Sequence, residues 1–277
     1  MLTLPNHSDA ALVDLVDEML TSVISVCETL PADAWDRPTD CPAWSVRDVV
    51  AHLADFEVRA TGGPPAPPID RAAFPHVKND FQEMTERGVQ ARRGRTGPEV
   101  LEELREASAA RLAQLRALDE AGWEGNVELP VGSVPQRKIL PMRITDLVYH
   151  EQDIRRATGR PGHLDGAAAR YIVERMAALA LPLVVAKSAG APEGTTVRWT
   201  VDGPAGLDVT VGVRGGRGVL EEPAAEPTVT FSSDVETFLC LFGGRWTAER
   251  ARTEGQLKVD GDEAIAETIL AKMTVIP

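Results

Sequence analysis

Cysteine is scarce: Cys27, Cys41 and Cys240 are the only three in 277 residues, an odd number without CxxC spacing. That excludes a disulfide framework and a cysteine-based zinc site, and fits a reducing compartment. Long apolar runs are missing too. The longest, residues 176–186, is interrupted by Pro182 and falls short of the about 20 residues that cross a bilayer. The N-terminal segment MLTLPNHSDAALVDLVDEML is acidic and amphipathic rather than basic and then apolar, so no signal peptide is expected. Positive charge is in deficit, with 29 Lys and Arg against 42 Asp and Glu and a formal net charge of −13. No basic run offsets it, which argues against nucleic acid as a partner. Internal repeats are absent, and the one biased tract is TGGPPAPPID at 61–70. The expectation is an acidic, cytoplasmic protein with no membrane partner.

Hydrophobic residues make up 43% and charged residues 26%, a globular composition with apolar mass for a sizeable core. At about 150 residues per domain the length allows one large domain or two ordinary ones, and periodicity decides between them. Leu12, Val13, Val16, Met19, Leu20, Val23 and Ile24 recur at helical steps and predict a helix over 9–29, capped by Ser8. Ser45 and Asp48 form a variant capping box for a second helix running to about Ala60. A loop follows to about Pro75, then a short helix near 77–93, and a long helix behind Pro98. Residues 122–140 read as an irregular or hairpin connection; Pro141 opens a fourth helix ending at Gly159, and Asp165 a fifth ending near Gly190. This is the pattern of an antiparallel four-helix bundle. After Gly190 the period becomes two: TVRWTVDG, LDVTVGVRG, GVLEE and PTVTFSSD read as strands. A helix over 234–242 capped by Ser233, a strand QLKVDGD and a closing helix over 263–273 complete the chain. The expected class is α+β, with a helical bundle over 1–190 and a small α/β domain over 191–277.

Of the five histidines, His7, His76 and His163 fall in tail or loop positions and are expected at the surface. His52 borders the apolar stripe of Val49, Leu53 and Phe56 within its helix. Asp146 and His150 are four apart and share a helix face, which Asp153 extends. Imidazole and carboxylate from one helix with an imidazole from another make a three-ligand metal site of His52, Asp146 and His150, with positions left open for water or substrate. Such N and O donors suit Zn²⁺, and also Ni²⁺, Fe²⁺ or Mn²⁺. The same spacing equally describes a core His150 bonded to Asp146, with Asp153 paired to Arg155, Arg156 or Arg47. Spacing leaves both readings open.

The segment WSVRDVVAH at 44–52 resembles one found in DinB-like bundles and, more narrowly, in the mycothiol-dependent maleylpyruvate isomerase family. DLVYHEQDIRRATGRP at 146–161 is similar to that family's second hallmark, and FGGR at 242–245 followed by VDGDEA at 259–264 to its C-terminal one. The resemblance spans nearly the whole chain in order. It implies a DinB-like bundle whose His52, Asp146 and His150 hold a divalent metal, and a small C-terminal α/β domain that closes the active-site cleft. Asp146 stands where glutamate is more usual, one methylene shorter, so the metal sits nearer that helix or binds through water.

The implied cosubstrate is a low-molecular-weight thiol, mycothiol, ionised beside the metal. It adds to an electrophilic small molecule, as an isomerase that turns a cis double bond trans or as a thiol S-transferase; the sequence does not separate the two. An anionic substrate needs cations. Arg245 in the Gly-Gly-Arg-Trp turn is the first candidate, Arg214 and Arg217 the alternatives, and a solvated turn arginine the plainer reading. Arg47 is assigned a structural salt bridge, and Tyr149 and Trp123 core positions. Cys41 is a reactive-thiol candidate in its loop, although an external thiol makes no cysteine necessary. A lid and a plain surface excursion describe the 61–75 loop equally well. The competing functions are a non-catalytic binding bundle and a metal-dependent hydrolase with water in the open position.

Overall fold

The computed structural model describes residues 7–129 and 132–276, so the start of the N-terminal segment and the middle of the 122–140 connection lie outside the described residues. The chain divides after Pro161 into two compact units.

The helical unit, residues 7–161, is built on four long helices: α1 (Asp9–Glu28), α2 (Val46–Ala60), α4 (Gly97–Arg116) and α6 (Gln136–Thr158), with a shorter α3 (Asp80–Gln90) on the flank of α2. Each long helix turns an aliphatic stripe inward, including Val16, Met19 and Val23 of α1, Val49 and Leu53 of α2, Leu104 of α4, and Ile144 and Leu147 of α6. Burial of these stripes, rather than intrinsic propensity, holds the helices together. Ser8 and Ser45 cap α1 and α2 as the sequence implied, Ser45 within a reciprocal box with Asp48. The flank helix comes close to α2 because residue 88 is glycine. A Cβ there would lie 2.3 Å from the Asp55 carboxyl carbon.

A short α5 (Glu120–Glu124) and the antiparallel pair β1 (Asn126–Leu129) and β2 (Gly132–Pro135) occupy the 122–140 connection. They also correct the start of the fourth helix. Pro141 does not open α6 but sits inside it. Its missing N–H removes one rung of the ladder, yet Ile139 and Leu140 are buried and the Gln136 N–H donates to the Gly125 carbonyl at 2.7 Å. Core packing of the preceding turn outweighs proline's preference for a first turn.

The sheet unit, residues 162–276, opens with a helical run. It consists of α7 (Ala167–Arg175), a π-helical stretch Met176–Ala180, α8 (Leu181–Leu183) and a second π-helical stretch Val184–Ser188. The ladder widens on both sides of Pro182, which has no N–H to give. A boundary drawn near 190, where the period changes, falls inside this unit. The run packs on sheet strands and on helices of its own unit, and helical periodicity reports conformation without saying which core the buried face joins.

Five strands follow in the order β5-β4-β3-β6-β7: β3 (Thr196–Asp202), β4 (Leu207–Arg214), β5 (Arg217–Glu221), β6 (Val229–Asp234) and β7 (Leu257–Gly261). Only β3 and β6 pair in parallel. Gly218 lets β5 lie against the proline turn, since a Cβ there would meet the Pro182 carbonyl oxygen at 2.2 Å. Helices α9 (Val235–Phe242), α10 (Ala248–Thr253) and α11 (Glu263–Leu270) complete the unit, the last ending at Leu270 rather than Met273. The cap of α9 is Asp234, not Ser233. Ser233 faces the core, where its hydroxyl accepts from the buried Trp199 indole N–H at 3.0 Å, and Phe231 and Phe238 pack on the same indole at 4.6 and 5.3 Å between ring centroids. Among the described residues no helix is long and apolar enough to cross a membrane.

Candidate metal centre

The capping box fixes the start of α2, and His52 follows on its inward edge. Asp146 and His150 project one turn apart from α6. Their donor atoms converge: His52 Nε2 lies 3.2 Å from Asp146 Oδ1, and His150 Nε2 lies 3.3 Å from the same oxygen. One ligand atom from each of the three residues falls within 4.8 Å of the other two. The imidazole side chains are 6% and 9% exposed, whereas Asp146 is 30% exposed, so solvent reaches the cluster on the carboxylate side.

Burial disfavours charge on all three groups, and it decides the matter only for His52. That ring is pushed below the usual histidine pKa by burial, against the pull of Asp146. For Asp146, burial is outweighed by the charges of His52 and His150 and their hydrogen bonds, which hold its carboxyl well below the carboxylate range. For His150, burial is outweighed by Asp146 above all, with Cys41 and Asp153 adding, and its pKa rises well above the usual value.

Surrounding groups orient two of the three donors. His150 Nδ1 lies 3.2 Å from Asp153 Oδ2, which directs Nε2 to the cluster, and Asp153 Oδ1 accepts from Arg156 at 2.7 Å. Arg143 donates to Asp146 Oδ2 and, through Nε at 2.8 Å, to Glu57, with its guanidinium 4.2 Å from the Phe56 ring centroid. By contrast, His52 Nδ1 is buried with no hydrogen-bond partner among the described residues. Trp44 lies tilted against both imidazoles, with ring centroids 5.2 and 5.9 Å away. Its indole N–H donates to Glu86 at 2.8 Å, and Glu86 also meets His76 Nε2 at 2.9 Å. His76 is therefore half-buried and tied to the support of the site, not a plain surface histidine. Two imidazoles and a carboxylate, directed inward from two helices, are a donor set that fits a divalent metal.

Arg143, Glu57 and Glu86 went unnoticed in the sequence. Arg143 carried a usable signal, three residues before Asp146 on one helix face; Glu57 and Glu86 carried none. Arg47 pairs with Asp36 at 2.8 Å, and Tyr149 and Trp123 are buried. Arg245 lies in the sheet unit, where Nη1 donates to the Gly243 carbonyl at 2.8 Å, and Arg214 pairs with Glu221 at 2.8 Å.

The loop before α2 brings Cys41 to the edge of the cluster. Ala43 takes a left-handed φ of 67° in that loop, and Cys41 Sγ donates to Asp153 Oδ2 at 3.3 Å and lies 3.9 Å from His150 Nδ1. Cys41 is half-buried, while Cys27 and Cys240 are fully buried. Burial pushes the Cys27 thiol up to about 12, partly opposed by Arg160. Iodoacetamide on the native protein is thus expected to label Cys41 first and the other two only on unfolding, read by peptide mass spectrometry. Equal rates at Cys27 and Cys41 would contradict this.

Residues 13–155 match the family model described as mycothiol maleylpyruvate isomerase N-terminal domain, and residues 185–270 match that of the SCP-2 sterol transfer family. A crystal structure of mycothiol-dependent maleylpyruvate isomerase matches over 94% of this chain and 96% of its own, with a TM-score of 0.58 and 15% identity. A mutant form of that enzyme gives a TM-score of 0.57 over the same shares. At such identity the likeness is one of fold. Uncharacterized proteins of two Mycobacterium tuberculosis strains (CDC 1551 / Oshkosh and ATCC 25618 / H37Rv) are 28% identical over 147 residues, 53% of this chain. The match spans 65% of the length of these curated relatives. With the isomerase N-terminal model covering more than half of its residues, and the same fold running through both units, the chain belongs to the mycothiol-dependent maleylpyruvate isomerase family.

Proposed function

We propose that this chain is a metal- and thiol-dependent enzyme, an isomerase or S-transferase that uses mycothiol as cosubstrate on a small electrophile. His52, Asp146 and His150 would hold the metal, most simply Zn²⁺, with Ni²⁺, Fe²⁺ or Mn²⁺ as alternatives of the same donor preference. The observation that carries the reading is the convergence of these three donors from α2 and α6, with solvent access at Asp146. The shorter aspartate still reaches. Its Oδ1 lies within 3.3 Å of both imidazole Nε2 atoms, while Arg143 occupies Oδ2.

A divalent cation, when bound there, supplies the positive charge that keeps a thiol ionised at neutral pH. The chain's own residues do the rest. Asp153 holds the His150 Nδ1 proton and so presents Nε2 inward; Arg143 restrains the Asp146 carboxylate; Trp44 walls the imidazoles from water. Arg245 of the sheet unit, or Arg214 or Arg217 in its place, is assigned to the substrate's negative charge.

The test is metal analysis of the purified protein followed by calorimetric titration with mycothiol and simpler thiols, watching thiolate absorbance in the ultraviolet. One metal per chain and thiolate formation at neutral pH are expected. A metal-free protein that binds no thiol would overturn the reading, and thiol-independent hydrolysis would place water where the thiol is assigned.

A further inference from the structure

The helical unit carries a second set of converging polar groups, none of them a donor of the metal cluster. Phe56, Ala60, Pro65, Arg111, Gln136 and Ile139 line a cavity of about 230 Å³. Along α6, Gln136 precedes Asp146 by ten residues, about 15 Å at 1.5 Å per residue. The far wall of the cavity is thus well removed from the metal centre, while its near wall, Phe56, lies one turn after His52 and against the Arg143 guanidinium.

Two hydrogen-bond donors line it without acceptors to match. Arg111 is 8% exposed, and among the described residues its one hydrogen bond is a long 3.4 Å contact to the Ala60 carbonyl, with no ion pair. Glu57, the acid whose charge acts on it, is already engaged by Arg143 at 2.7 Å. Gln136 is 7% exposed, and its Nε2 has no hydrogen-bond partner among the described residues. The other cation of the lining, Arg59, is neutralised by Asp55 at 2.7 Å. A buried guanidinium without a carboxylate is costly, as is a buried amide N–H without an acceptor. Their shared requirement is a ligand that brings acceptor oxygens and one negative charge. Phe56, Pro65 and Ile139 ask for an apolar body, and the proximity of Glu57 disfavours a dianion.

We propose that this cavity binds a small organic monocarboxylate, its carboxylate on Arg111 and Gln136 and its hydrocarbon part against Phe56 and Ile139. The site does not depend on the metal.

The experiment uses the full chain with chelator present, titrated by calorimetry and thermal shift with benzoate, hexanoate and the neutral isostere benzamide. Saturable binding of the carboxylates with a raised Tm is expected, and none of benzamide. Arg111→Met should weaken benzoate by about 10–100-fold, and Gln136→Leu by about tenfold. Without ligand, Arg111→Met should melt at or above the wild-type temperature, because it removes an uncompensated buried charge; a purely structural arginine would lower it. Equal binding of benzamide, no saturable binding of either carboxylate, or wild-type affinity in both variants overturns the proposal. So does an Arg111→Met chain that fails to fold while Gln136→Leu binds benzoate like wild type.

Discussion

Alanine at His150 is expected to cost the protein more metal affinity than any change outside the three donors. The substitution removes a donor whose Nε2 lies 3.3 Å from Asp146 Oδ1 and takes from the Asp153 carboxylate the imidazole that it oriented at 3.2 Å. Asp153→Asn provides the scale. It keeps the imidazole but loosens its orientation, and outer partners of this kind are worth about 10–100-fold in metal affinity. Loss of the donor itself should exceed that range, because only two protein ligands remain. His52→Ala should match His150→Ala, yet with a difference behind it: His52 Nδ1 has no partner among the described residues, so no neighbouring substitution should mimic its loss. Competition against a chelator gives the affinities, and thiol-stimulated turnover should fall in the same order. A His150→Ala chain that keeps stoichiometric metal at wild-type affinity would sink the ligand assignment.

What the sequence disclosed of this site follows from what a helix fixes locally. Asp146 and His150 share a face because four residues make about one turn, and the Ser45 box was legible because capping is a three-residue pattern. That His52 meets them depends on α2 lying beside α6, a fact of tertiary packing; the family resemblance suggested it where spacing left it open. The misreadings share a cause. Pro141, Ser233 and the boundary near 190 were judged on local rules, and each was decided by a core: Ile139 and Leu140 beneath one, the Trp199 indole beside another, the sheet under the third. Buried ion pairs were the least visible, since a charged residue inside a helix reads as solvent-facing whether or not a partner waits for it.

Breaking one such pair is expected to have the largest effect on stability. Arg143 and Glu57 are 2% and 1% exposed and meet at 2.7 Å. Removing one member of a buried pair costs about 3–5 kcal/mol, against the about 5–15 kcal/mol that holds a domain folded. The two truncations should differ. Glu57→Ala leaves the guanidinium with Asp146 and the Leu53 carbonyl, which favours the low end, about 3 kcal/mol. Arg143→Ala leaves Glu57 with no hydrogen-bonded cation among the described residues, which favours about 5 kcal/mol. Urea titration of the metal-free chain measures both. Replacing the pair together by methionine should recover most of the loss, since two well-packed apolar side chains leave no buried charge behind. Metal affinity should not recover with it, because the Asp146 carboxylate then loses the guanidinium that held its Oδ2. Stability and metal binding would thereby part company in a single variant. If Glu57→Ala stays within about 1 kcal/mol of wild type, the pair is a passenger in the core and not its anchor.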